Sequence, residues 1–244
     1  MCGIAGILSL SQKPIPLHGI KRMCDSMRHR GPDDAGYIFF KIDPSRGQKG
    51  FGREYLEKDF SHLHPDYFSD LPIFMDSKAN GNEDWNLALG HRRLSIIDLS
   101  SAGHQPMSDA RKKIWVSYNG EIYNFKEIRK ELEALGYLFR SNSDTEVILH
   151  SYQAWGIRSI LKFNGMFAFA LWDGDLNQLF LVRDRYGIKP LYYYLDDGLL
   201  IFASEIKGIL EHEGVKKEVN PEALHEYFTF QNILSDQTLF KKVY

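Results

Sequence analysis

Between Met166 and Ala203 four short apolar runs follow one another with little but turns between them. The runs are Met166 to Trp172, Gln178 to Arg183, Leu191 to Tyr194 and Leu200 to Ala203, separated by Asp173-Gly174, Tyr186-Gly187 and Asp197-Gly198. Connections this short return the chain antiparallel, because a parallel pair needs a long crossover. Further strand signals stand at Ile4 to Leu8, Tyr37 to Phe40, Leu87 to His91, Leu94 to Ile97 and Ile114 to Tyr118, the last followed by Asn119-Gly120, a tight-turn dipeptide. Helical spacing appears in Gly19 to Met27, through Ile20, Met23, Cys24 and Met27, and in Phe125 to Leu135 before Gly136 stops it. Ser143 or Asp144 caps a helix that runs to Trp155, Glu205 to Leu210 is a short helix, and Pro221 opens another. Strands in blocks and helices in pairs predict an α+β domain of mainly antiparallel sheets covered by helices.

The second residue, Cys2, points to chemistry. If Met1 is removed, Cys2 carries a thiol and a free α-amine on one residue. The amine titrates near ~8 and the thiol near ~8.5, so one can pass a proton to the other near neutral pH. The thiolate is the reactive form, and an adjacent base supplies it. The totals exclude several other classes. A net charge of −2 leaves no basic footprint for nucleic acid. No run approaches the ~20 apolar residues of a membrane span, and neither a signal peptide nor a myristoylation start fits the opening residues. Two cysteines argue against a disulfide framework and for a reducing cytoplasm. The nine histidines form neither a His-Glu-x-x-His nor a Cys-x-x-Cys pattern, so no metal site is expected.

Several ordered segments resemble the N-terminal glutamine amidotransferase domain of glutamine-hydrolysing asparagine synthetases. They are Met1-Cys2-Gly3-Ile4-Ala5-Gly6, Arg28-His29-Arg30-Gly31-Pro32-Asp33, Gly90 to Asp98, Tyr118-Asn119-Gly120-Glu121-Ile122-Tyr123-Asn124, Ser143 to Val147, Phe163 to Phe169, Arg183 to Tyr193 and Phe202 to Lys207. The resemblance implies an N-terminal-nucleophile fold, a four-layer αββα sandwich. It implies that Cys2 attacks the side-chain amide of glutamine, releases ammonia and leaves a glutamyl thioester for water. Asn119, through its side-chain amide, and Gly120, through its N–H, are then the oxyanion donors. Arg93 takes the substrate carboxylate, while its neighbour Arg92 reads as a solvated charge at a strand end. Asp144, with help from Glu121, takes the substrate ammonium, and Leu94, Ser95, Ile96 and Ile97 complete the pocket. Arg30 is a candidate loop contact, His29 and Cys24 read as structural, and Arg183 to Tyr193 reads as packing and ion pairing.

Organisation follows from the same resemblance. Residues 1–210 form the amidotransferase domain, with a long insertion at Lys41 to Asn86 carrying some local helix and a candidate docking role. Residues 211–244 read as a linker and the start of a synthetase domain that is otherwise missing. No cofactor is expected in this chain; ATP and Mg2+ belong to the missing domain. The expected partners are glutamine and a synthetase domain or subunit that receives ammonia, with homo-oligomer formation left open. Two alternatives stand beside this reading: ammonia delivery to another acceptor, such as a sugar acid or a secondary-metabolite precursor, and a catalytically silent scaffold.

Overall fold

A computed structural model of the protein describes residues 1–11, 13–42, 51–57, 73–74 and 84–244. Among the described residues eleven strands form two sheets. The larger has the order β10 (Tyr192–Asp196), β11 (Leu199–Ala203), β1 (Gly3–Ser9), β5 (Leu87–Arg93), β2 (Asp34–Lys41), β3 (Phe51–Glu57) and β4 (Ile73–Phe74). The smaller has the order β6 (Met107–Ser108), β7 (Ile114–Ile122), β8 (Gly165–Asp173) and β9 (Gln178–Arg183). Every ladder is antiparallel except β3 with β4. The successive short runs form the hairpins β8–β9 and β10–β11, and the link between β9 and β10 carries the chain from one sheet to the other.

Three apolar clusters account for the layers. Helix α1 (Leu17–Ser26) presents Ile20, Met23 and Cys24 to Ala5, Ile7, Ala88 and Ile201 on the outer face of the larger sheet, with Ile209 of α4 (Ile206–Leu210) beside them. Leu87, Leu89, Trp115, Trp172 and Phe202 fill the space between the sheets. Ile128 and Leu132 of α2 (Phe125–Ala134) and Val147 and Ile148 of α3 (Asp144–Trp155) cover Val116, Tyr118 and Phe169 on the far face. The result is helix, sheet, sheet, helix, the expected αββα sandwich.

The pleat decides what reaches the middle of this sandwich, because successive side chains of a strand point to opposite faces. On β5, Ala88, Gly90 and Arg92 face α1, and a Cβ on Gly90 would fall 2.6 Å from the Cys24 sulfur. Leu87, Leu89, His91 and Arg93 face inward, where His91 Nδ1 meets the Ser117 hydroxyl at 3.1 Å. Arg92 is therefore not a solvated charge. It is fully buried, and its guanidinium bonds the Cys24 carbonyl and the Asp25 carboxylate of α1. A strand-end position suggested water, but the sheet continues past Arg92 and a helix lies over it.

Other expectations are corrected in the same way. Leu94 to Ile97 is bent backbone after β5, not a strand. Asn119-Gly120 is no turn, for both residues lie inside the nine-residue β7, opposite Ala168 and Phe167. In the Lys41 to Asn86 stretch, residues 43–50, 58–72 and 75–83, where local helix was expected, lie outside the described residues. The described part adds β3 and β4 to the sheet edge. Its two ends are clasped by the Asn86 side chain, which accepts from Ile42 N–H at 2.6 Å and donates to the Ile42 carbonyl at 2.8 Å.

Toward the C-terminal end, Asn220 caps α5 (Pro221–Phe230), accepting from Glu222 N–H at 3.1 Å. The chain then returns to β10, where Tyr193 and Tyr244 exchange backbone bonds of 2.9 and 2.8 Å. Among the described residues no helix is long and apolar enough to cross a membrane.

Candidate active site

Cys2 stands just before β1, where the strand emerges beside Leu94. Leu94 N–H donates to the Cys2 sulfur at 3.4 Å, and the thiol reaches the Leu94 carbonyl at 3.7 Å. Burial pushes the thiol above its ordinary pKa, while the Leu94 N–H and the nearby Arg93 charge pull it down. Arg30 fixes the backbone behind the thiol. Its Nε donates to the Cys2 carbonyl and its Nη1 to Glu205, each at 2.9 Å, so it braces Cys2 and is not part of the cavity wall. His29 shares the same carboxylate at 2.9 Å. Burial opposes ionisation of Glu205, but hydrogen bonds from Arg30, His29 and Lys207 outweigh it and hold its pKa at about 2.

A cavity of about 90 Å³ opens in front of Cys2 between the two sheets. Arg93, Leu94, Ile96, Ile97, Asn119, Gly120, Glu121 and Asp144 line it together with Cys2. Of the remaining expected residues, Ser95 stays out of the wall, its N–H donating to Asp33 at 2.8 Å.

Each wall residue has a local cause. Asn119 faces inward because it alternates with Tyr118 and Gly120 on β7, and its Nδ2 is buried with no partner among the described residues. Buried amide donors are nearly always paired, so this group is poised for something the cavity admits. Gly120 is glycine because β8 lies too close for a side chain, with a Cβ only 2.4 Å from the Met166 carbonyl. Arg93 is held by main-chain acceptors, its Nη1 on the Ser100 carbonyl at 3.0 Å and its Nη2 on the Asp98 carbonyl. Ser143, not Asp144, is the helix cap, accepting from Thr145 N–H at 3.1 Å. That releases Asp144 to point across the site, where its Oδ2 accepts from the Tyr118 hydroxyl at 2.6 Å and from Ile122 N–H at 3.0 Å. Burial raises the Asp144 pKa, and these two bonds work against the rise.

Sequence reasoning missed several wall residues, chiefly Tyr118, Gln105 and Lys189. Lys189 belongs to the Arg183 to Tyr193 segment, where only packing was expected. Asp184 does organise that loop, accepting from Phe167, Tyr186, Ile188 and Lys189 N–H groups at 3.0–3.1 Å. The loop then turns the Lys189 side chain inward, so that its Nζ lies 3.3 Å from the Met1 sulfur at the mouth of the site. An aliphatic-flanked lysine carries no sequence signal for this. Among the described residues no cluster of His, Cys, Asp and Glu could hold a metal ion.

A cysteine at the head of a strand thus lines a cavity between two mainly antiparallel sheets that helices cover. The solved glutamine phosphoribosylpyrophosphate amidotransferase from B. subtilis, complexed with ADP and GMP, shares the fold, with a TM-score of 0.61 over 85% of this chain and 43% of that one at 20% identity. The model of the glutamine amidotransferase domain family matches residues 76–244, and the chain belongs to that family. Similarity to curated proteins runs through the Cys2 end as well. Asparagine synthetase [glutamine-hydrolyzing] 1 of Bacillus subtilis is 34% identical over 98% of this chain and 31% of its own length. Putative asparagine synthetase [glutamine-hydrolyzing] 2 of Methanocaldococcus jannaschii is 32% identical over 100% of this chain and 42% of its own length. The chain thus spans well under half the length of these relatives.

Proposed function

We propose that the cavity hydrolyses glutamine to glutamate and ammonia at Cys2, and that the ammonia serves an asparagine synthetase domain or subunit. The observation that carries the reading is the unpartnered Asn119 Nδ2 in the wall of the cavity that Cys2 also lines. Loss of Met1 frees the Cys2 α-amine, which takes the thiol proton. The thiolate adds to the amide carbon, and the developing oxyanion is met by Asn119 Nδ2 and Gly120 N–H. The α-amine returns the proton to the departing nitrogen, the C–N bond breaks, and ammonia leaves. Water, deprotonated by the same amine, then adds to the thioester and expels the thiolate to give glutamate. Arg93 takes the α-carboxylate, and Asp144, with Glu121 beside it, takes the α-ammonium. The relatives' names support asparagine as the final product. ATP and Mg2+ would enter only at the synthetase step.

The test is glutamate release from glutamine by the chain once intact mass shows that Met1 is gone. Release that disappears in Cys2→Ala supports the reading. Equal release by both refutes Cys2 as nucleophile. No release, with no binding of glutamine, favours the silent scaffold.

A further inference from the structure

Tyr118 sits one residue before the oxyanion candidate, and the pleat sends its ring to the helix side of β7 with Val116 and Ile122. Nothing about packing requires a hydroxyl there, yet the hydroxyl is used. It donates to Asp144 Oδ2 at 2.6 Å, and Ile122 N–H donates to the same oxygen at 3.0 Å. Two donors on one oxygen fix the carboxylate's rotamer at the wall of the cavity that Asp144 lines. Gln105 holds the two partners in register. Its Oε1 accepts from Tyr118 N–H at 2.7 Å and its Nε2 donates to Thr145 Oγ1 at 3.2 Å, tying β7 to the first turn of α3. A short bond from a phenol also favours the ionised carboxylate against its burial. An oriented, buried carboxylate is complementary to a cationic donor such as an ammonium group.

We propose that Tyr118 is a positioning residue that aims Asp144 at the substrate's α-ammonium, and so makes the cavity select α-amino acid amides over their des-amino counterparts. This rests on the glutamine reading of the cavity.

The experiment measures binding, so that it does not depend on turnover. Glutamine and 4-carbamoylbutanoate, which is glutamine without its amino group, are titrated calorimetrically into the Met1-processed chain carrying Cys2→Ala, alone and with Tyr118→Phe, Asp144→Asn or both. Phe keeps the ring and its packing. The expected result is a roughly tenfold loss of glutamine affinity in Tyr118→Phe, with 4-carbamoylbutanoate unchanged within twofold. Tyr118→Phe should add nothing further to Asp144→Asn, because the two act as one unit. Equal loss for both ligands, no loss for either, or full additivity in the double variant would overturn the role of Tyr118. Failure of the Cys2→Ala chain to bind either ligand would instead sink the glutamine reading itself.

Discussion

Asn119→Ala separates catalysis from folding more sharply than any other change. In most cores, truncating a buried polar side chain breaks a hydrogen bond and lowers both stability and activity. Here the Asn119 Nδ2 is buried and has no partner among the described residues, so the resting protein loses no bond from that group when it is cut away. An unpaired buried donor costs roughly 1–3 kcal/mol, and its removal recovers that penalty. Shortening the side chain removes a few packing contacts worth about the same. The two nearly cancel, so Tm should move by no more than about 2–4 °C in a chain of this size. The transition state behaves differently, because the oxyanion forms only there. Removal of one preorganised donor costs about 2.7–4 kcal/mol, or about 10²–10³ in kcat. KM should stay within a few-fold, since the bond strengthens only as charge develops. Coupled detection of glutamate gives kcat and KM, and a thermal melt gives Tm. An unchanged kcat would refute the oxyanion assignment. A large fall in Tm with a proportionate fall in activity would show that Asn119 is a structural residue.

The other expected outcomes follow from the remaining wall residues. Arg93→Ala should raise the glutamine KM by about 10- to 150-fold, as expected for the loss of a charge-assisted pair of ~1.5–3 kcal/mol, with kcat much less affected in steady-state kinetics. Gly120→Ala puts a Cβ 2.4 Å from the Met166 carbonyl, so β7 and β8 must part and stability should fall by about 1–3 kcal/mol in denaturant unfolding. Glu205 is depressed from 4.5 to about 2 in the folded protein, so its contribution to stability is complete above 4.5 and is lost as pH falls toward 2. Glu205→Gln should therefore flatten the acid side of a stability-versus-pH curve in that window, and an unchanged slope would contradict the Arg30–Glu205 brace. Because burial pushes the Cys2 thiol up, alkylation of Cys2 should accelerate with pH beyond the range of an exposed thiol, measured by mass spectrometry.

Much of this molecule is written in local pattern. The helical spacing of Ile20, Met23 and Cys24, and the short runs that become β8 to β11, report one face of each element, and the structure keeps those faces. The errors arise where a signal is decided by what lies across the gap. Asn119-Gly120 has turn chemistry, but Gly120 is there because β8 crowds it, and the ladder runs straight through. Arg92 and Arg93 are indistinguishable in composition, and only the pleat of β5 sends one to α1 and the other to the cavity. Asp144 reads as a cap because Ser143 and Asp144 are both good caps. The choice between them is made by Tyr118 and Ile122, more than twenty residues away in the chain. Lys189 carries no local mark at all, because its inward turn is imposed by Asp184 gathering four backbone N–H groups.

The central claim is that Cys2 is the nucleophile of a glutamine site. A glutamine-shaped diazoketone, incubated with the Met1-processed chain and followed by intact mass and peptide mapping, tests it most directly. The account predicts a single adduct on Cys2 that forms more slowly when glutamine is present. The buried Cys24 should remain unlabelled. Labelling of Cys24, labelling of Cys2 that glutamine does not slow, or no adduct on a correctly processed chain would contradict it.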